Sequence, residues 1–458
     1  MPRPSSGAPT TPASVPASTN AAIAGPAPAT PGAGARSKLP SLTSLRFFAA
    51  LIVFLYHASM ANGPLAPYGP LSPFANGRVA TDYASVLEDG GYVGVSFFFV
   101  LSGFVLTWSA SLAERKTAFW RRRVLKIFPN HLVLWAVAMA LFAASTVPAK
   151  AWVPSIFLIN SFWPQPYIFA TVNMPSWTLC SELLFYALFP LLLRPVARIG
   201  ARRLWIWAGA MVAGMVGIQL VNVFLIPGTP TSPYLPGVSI HQQWFGYIFP
   251  PTRLFEFVLG MLLARIVRAG LWPRIGVLPA VALMFGGLLL AHVVPTAFAF
   301  EVATVVPVAV LICAAAASDV AGRRSVLGTR VMVWLGEVSF AFYMCQGVVL
   351  FYGRIKITHN HQYGTPTAVG VLLAFLAANL VAGWLLYSFV ERPIMQRWAR
   401  SRKRPALVSV PTPTVGATLA PASGLASAPE SYSGSASTVA SEPAPAALDN
   451  PRPESEAA

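Results

Sequence analysis

RFFAALIVFLYH, residues 46–57, sets ten residues between an arginine and a histidine, and Tyr56 alone among those ten has a polar side-chain atom. With its flanks, 42–60, the run is long enough to cross a bilayer core of about 30 Å, which takes roughly 20 apolar residues in a helix. An ionisable side chain inside such a run is costly and is kept where it faces a protein interior or a wet cavity. Arg46 and His57 are eleven residues apart, about three turns, so they share one helix face with a rise of roughly 16 Å between them.

The rest of the chain repeats the pattern. Of 458 residues, 55% are apolar and only 10% charged, a balance foreign to water-soluble domains. Apolar runs predict an all-α membrane protein of about ten transmembrane helices, at 42–60, 91–109, 131–149, 177–194, 204–225, 245–267, 275–293, 299–317, 331–353 and 366–390. The stretch AERKTAFWRRRVLKIF, 113–128, mixes bases with aromatic and aliphatic residues and reads as a separate interfacial helix.

Residues 1–40 and 405–458 are rich in Pro, Ala, Ser and Thr and poor in bulky apolar side chains. Such segments cannot bury enough surface to offset ordering entropy and read as disordered tails flanking a transmembrane domain at 41–395. No apolar core of a cleavable signal peptide occurs near the start. Cys180, Cys313 and Cys345 lie in apolar runs without a CxxC or Cys/His neighbour, so neither a metal site nor a disulfide framework is expected.

A net charge of +17 would suggest nucleic acid in a soluble chain, but here the bases sit between the apolar runs. Placed on alternate sides of ten spans, they fall overwhelmingly on the side of the first tail, and only Arg78, Lys150, Arg354 and Lys356 fall opposite. The positive-inside rule then puts both termini in the cytoplasm of a multi-pass cell-membrane protein and leaves nucleic acid out of its partners.

Within or near the spans the ionisable residues are His57, Glu182, Arg253, Glu256, Arg46, Glu301, Glu337 and Glu391. The ten-span topology gives His57, Glu182, Arg253 and Glu256 similar depth. Arg253 and Glu256 are i and i+3 and can pair as a brace for the bundle. The cluster Arg121, Arg122, Arg123 and Lys126 reads either as a topology signal contacting lipid phosphate or as the anchor of a phosphorylated substrate, since guanidinium groups grip phosphate bidentately. A basic mouth below a His/Glu site suits a long donor whose charged end stays near the cytoplasm. Buried His, Glu and Arg at one depth also describe a proton-coupled transporter or flippase, although the two halves of the chain show no internal repeat.

Seven segments together carry a resemblance: LTSLRFFAALIVFLYH, GYVGVSFFFVLSGFVLTWS, FWRRRVLKIFP, PSWTLCSELLFYALFPLL, RLFEFVLGMLLAR, LGEVSFAFYMCQGVVL and FVERPIMQRW. In content and order they resemble the acyltransferase 3 membrane proteins, which include O-acetyltransferases of bacterial surface polysaccharides and of macrolide antibiotics. The resemblance implies transfer of an acyl group, acetyl first, from acyl-CoA as donor substrate to a hydroxyl, with His57 central and Arg46 supporting it. An imidazole titrating near neutrality suits removal of the hydroxyl proton. Glu182 is a candidate to orient the ring or steady the imidazolium. Trp177, Arg253, Glu256, Tyr343 and Gln346, in the matched segments, join Arg121, Arg122, Arg123 and Lys126 as candidates for substrate contact.

Two positions depart from the family. Lys126 stands where Arg-x-x-Arg is frequent and cannot reproduce the bidentate fork. Gln346 stands where many relatives have histidine, so it is expected only to hydrogen-bond substrate or a neighbour. No GxSxG nucleophile signal follows the membrane part, while Ser102, Ser181 and Cys180 leave a covalent intermediate open.

Overall fold

The computed structural model describes residues 38–63, 69–233, 235 and 237–399, and these form a helical bundle with isolated bridges in place of strands. Most of the expected N-terminal tail and all of the C-terminal one lie outside the described residues. Ten principal helices correspond in order to the ten predicted runs, the third and sixth with shifted bounds: α1 Pro40–His57, α2 Gly90–Ser109, α3 Lys116–Ala138, α4 Trp177–Arg198, α5 Leu204–Leu225, α6 Leu254–Arg268, α7 Val277–Val293, α8 Val302–Val320, α9 Arg330–Gln346 and α10 Thr365–Leu386. Among the described residues eight helical stretches are long and apolar enough to cross a membrane; α7 is shorter, and α6 spans 15 residues. The chain is a multi-pass membrane protein.

Between helices in lipid the driving force is close packing, which small residues permit. Helices α2 and α6 use this reciprocally. A Cβ at Gly103 would stand 1.9 Å from the Phe257 carbonyl oxygen, and one at Gly260 would stand 1.9 Å from that of Val100. Helix α1 packs against α9, α2 and α8, so the histidine-bearing run lies inside the bundle. Its first turn begins at Pro40, whose missing N–H costs nothing there. The Ser41 amide and hydroxyl donate to the Asp319 carboxylate at the end of α8, at 2.9 and 2.6 Å, satisfying donors a helix start leaves open.

The structure corrects the sequence reading in two places. The stretch 113–128 is not a separate interfacial helix. It is the first half of α3, which runs through Pro129 and continues into a wide π turn, Met139–Ala143. Asn130, one residue past the proline, donates to Glu391 at 2.7 Å, and Lys126 pairs with the same carboxylate, so contacts from the chain's far end hold the helix across the proline.

The run 245–267 is not one helix either. Ile240–Gln243 passes into a π turn, Trp244–Ile248, then the chain breaks at Phe249–Pro250–Pro251–Thr252 before α6 begins. Consecutive prolines remove two amide donors and push their predecessors out of the helical region. Arg253 therefore occupies the N-cap position of α6 rather than the interior of a span.

Candidate functional site

His57 is the last residue of α1 and is buried, with 4% of its surface exposed. Its Nδ1 lies 2.8 Å from Oε1 of Gln346, the last residue of α9. The Gln346 amide nitrogen donates to the carbonyl of Ala50 at 3.3 Å, seven residues before the histidine on the same helix. Phe351 meets the imidazole edge-on with centroids 5.1 Å apart. Beyond Gln346 the helix widens into a π turn, Gly347–Tyr352, a distortion that often marks functional positions. Asn173 props this junction by donating to the Met344 carbonyl at 3.2 Å.

His57 lines a tight cavity of about 40 Å³ with Tyr56, Tyr92, Trp177, Gln243, Tyr247 and Tyr343. Two chambers adjoin it. Across Val95 and Tyr343, which line both spaces, lies one of about 20 Å³ bordered by Thr178, Leu179, Glu182 and Phe340. Across Tyr56, Met60 and Leu235, again shared, lies a wider vestibule of about 380 Å³ that adds Ser59, Asn62, Thr81, Ser85, Glu88 and Ser232. Tyr343 is held by its hydroxyl, which lies 3.2 Å from Thr178 Oγ1 and 3.4 Å from the Pro175 carbonyl. Trp177 and Tyr343 thus stand in the same wall as His57.

Glu182 does not meet His57. Its carboxylate accepts from the Tyr186 hydroxyl at 3.2 Å, in the field of Arg46, Lys126 and Arg123. The ring's partner is Gln346, a neutral amide, so the expectation that Glu182 orients the imidazole is replaced. Arg46 is half-buried, and its Nε has no acceptor among the described residues.

The basic cluster divides by role. Arg123 lies over Phe119 and Tyr186, at 5.4 and 5.6 Å from their ring centroids. With Arg122, Lys116 and Ser109 it borders a cavity of about 290 Å³. Arg122 pairs with Glu114, and Lys126 with Glu391. Arg121 is exposed.

Arg253 and Glu256 pair as their spacing allows, at 2.9 Å, but with a third member: Arg253 also meets Glu301 at 2.6 Å. All three are fully buried. Ser96 and Gln219 join the group, and the guanidinium lies 5.1 Å from the Tyr247 ring centroid, so the triad backs a wall of the histidine cavity. Glu301 was visible in the sequence only as a residue near a span end. The cavity tyrosines Tyr92 and Tyr247 and the Ala50 carbonyl carried no sequence signal at all. Arg354, expected among loop charges, is buried and donates to the carbonyls of Leu71 and His361 at 3.0 and 2.8 Å. All three cysteines are buried and free.

A helical membrane bundle thus shelters a buried imidazole beside a cavity, and a cation-lined cavity lies elsewhere in it. The chain belongs to the acyltransferase 3 family, whose acyltransferase domain matches residues 39–408. It is 39% identical to the acyltransferase MdmB of Streptomyces mycarofaciens over 376 residues, covering 80% of this chain and 94% of that protein. It is 24% identical to the putative peptidoglycan O-acetyltransferase YrhL of Bacillus subtilis and 22% identical to the peptidoglycan O-acetyltransferase OatA of Listeria monocytogenes. These matches cover 80% and 78% of this chain, but the chain spans only 56% of either relative. No solved structure matches. The protein is an acyltransferase, and the carrier reading gives way to an enzyme acting on hydroxyl groups.

Proposed function

We propose that the donor is acyl-CoA, acetyl-CoA first, that the acceptor is a hydroxyl of a macrolide-type metabolite, and that His57 is the general base. The reading is carried by one observation: a buried histidine at a cavity wall, its Nδ1 occupied by Gln346, with a chamber on each side.

The donor enters from the basic end. Its phosphates are held by Arg122 and Arg123, where bidentate charge-assisted bonds are available, and its thioester arm passes the Glu182 chamber toward Tyr343 and Val95. The acceptor enters through the vestibule beyond Tyr56 and Met60. As the acceptor oxygen attacks the thioester carbonyl carbon, His57 Nε2 takes its proton. The C–S bond then breaks, and the imidazolium returns that proton to the departing sulfur, giving ester and free CoA thiol. The positive-inside bias supports a cell-membrane protein with both termini cytoplasmic, and so a donor supplied from the cytoplasm.

A macrolide-type acceptor is put first because the family resembled includes macrolide O-acetyltransferases and the chain is 39% identical to the Streptomyces acyltransferase against 22–24% to the peptidoglycan enzymes. The test is acetyl-CoA consumption by the purified protein in nanodiscs, with and without a panel of macrolides. Release of CoA thiol only when an acceptor is present is the expected result. Thiol release by His57→Ala at the wild-type rate would remove His57 from the chemistry.

A further inference from the structure

Gln346 has two ends, and both are committed. Its nitrogen can only donate, and it faces the Ala50 carbonyl, which can only accept, at 3.3 Å. That contact fixes which way round the amide sits, so Oε1 faces His57 Nδ1 at 2.8 Å. An amide oxygen can only accept, and the facing ring nitrogen must therefore carry the hydrogen. A neutral imidazole bears one hydrogen, so Nε2 is left with its lone pair. No described residue hydrogen-bonds Nε2, and the ring lines the 40 Å³ cavity. Reversing the tautomer would set the Nδ1 lone pair against the Oε1 lone pairs in a buried site, and flipping the amide to relieve that would set Oε1 against the Ala50 carbonyl.

Building on His57 as the base, we propose that Gln346 is a positioning residue that selects the Nδ1–H tautomer of His57, reading its own orientation from the Ala50 carbonyl on the histidine's helix. The two contacts are seven residues apart on one face of α1, so a single side chain both clamps α9 to α1 and keeps the basic nitrogen turned to the cavity. An Nε2–H tautomer would present a donor to the incoming hydroxyl and could not accept its proton. The selection acts through hydrogen bonding alone and needs no charge in the protein interior, unlike a carboxylate partner, which would stabilise the imidazolium and hold on to the proton.

The experiment is nitrogen-15 NMR of the full chain in nanodiscs with labelled histidine, the His57 signals being assigned by their loss in His57→Asn. Wild-type protein at a pH where the ring is neutral should show His57 with Nδ1 protonated and Nε2 bare. A buried hydrogen-bonding group left unpaired is penalised enough to hold the two tautomers at roughly ten to one or better. In Gln346→Leu, which removes both contacts, the preference should collapse to about even or reverse. A wild-type ring protonated on Nε2, or an unchanged tautomer ratio in Gln346→Leu, would overturn the proposal. The measurement needs no turnover, so failure of the acyl-transfer reading, seen as full activity in His57→Ala, would be told apart from failure of tautomer selection.

Discussion

The guanidinium of Arg253 and the carboxylate of Glu301 meet at 2.6 Å, both fully buried, although one precedes α6 and the other precedes α8. Each is the N-cap residue of its helix, so the pair joins two helix starts, and Glu256 completes the group from the first turn of α6. Removing the cation would leave two uncompensated carboxylates in the bundle.

Arg253→Met is therefore expected to be the most damaging change in this cluster, costing about 3–5 kcal/mol, the usual penalty for breaking a buried pair from one side. Glu301→Gln, which keeps an oxygen for Arg253 and leaves Glu256 to balance it, should cost less than half as much. Thermal unfolding of purified protein in detergent, followed by tryptophan fluorescence, ranks the two. Equal losses would mean that the triad is not acting as a charge-balanced unit.

His57→Ala should lower turnover by at least about 10²-fold, the lower range for loss of a general base, while the protein is still recovered folded from membranes. The ring's contacts with Phe351 and Gln346 are modest beside the whole of α1, which its other apolar residues hold in place. Size-exclusion profiles and acyl-CoA turnover on the same preparation provide the comparison.

Arg123→Ala and Lys126→Ala should separate donor binding from stability. Arg123 borders the 290 Å³ cavity at the basic end, and losing one charge-assisted contact of about 1.5–3 kcal/mol should raise KM for acetyl-CoA at least about tenfold with kcat nearly unchanged. Lys126 is already engaged by Glu391, which is 3% exposed. Its loss should lower the unfolding temperature instead and leave KM within about twofold. The reversed pattern would place the donor phosphates at Lys126.

Val95→Phe should close the passage between the Glu182 chamber and the His57 cavity, since Val95 and Tyr343 border both. Overpacking of this kind costs about 1–3 kcal/mol, tolerable for the fold, yet the acyl group would be kept from the histidine. Near-complete loss of transfer with an intact unfolding transition is expected. Undiminished transfer would show that the thioester takes another route.

The helices were legible in the sequence because apolar runs of membrane length have few alternatives in lipid. Where the reading failed, local chemistry overrode length. Pro250 and Pro251 broke a run that hydropathy alone would keep whole, and the Glu391 contacts carried α3 through Pro129. The site was half legible. His57, Trp177 and Tyr343 line one cavity, but Glu182 was offered as the ring's partner from a matched segment and a similar depth, and neither says which faces meet. Glu301 and the Ala50 carbonyl stayed hidden for the same reason: their roles come from helix rotation and from a main-chain atom every residue possesses.

Gln346 and Phe351 both touch the imidazole although they are five residues apart, a separation that on an ordinary α-helix points two side chains about 140° away from each other. The widened turn after α9 closes i to i+5 and stacks them on one side. Deleting one residue such as Val348 would let the turn relax to regular winding and leave Phe351 four residues from Gln346, about 40° round the helix, so a regular turn one residue shorter serves the same two contacts. Relatives one residue shorter within 347–352 are then expected to have a regular turn there and to keep both contacts.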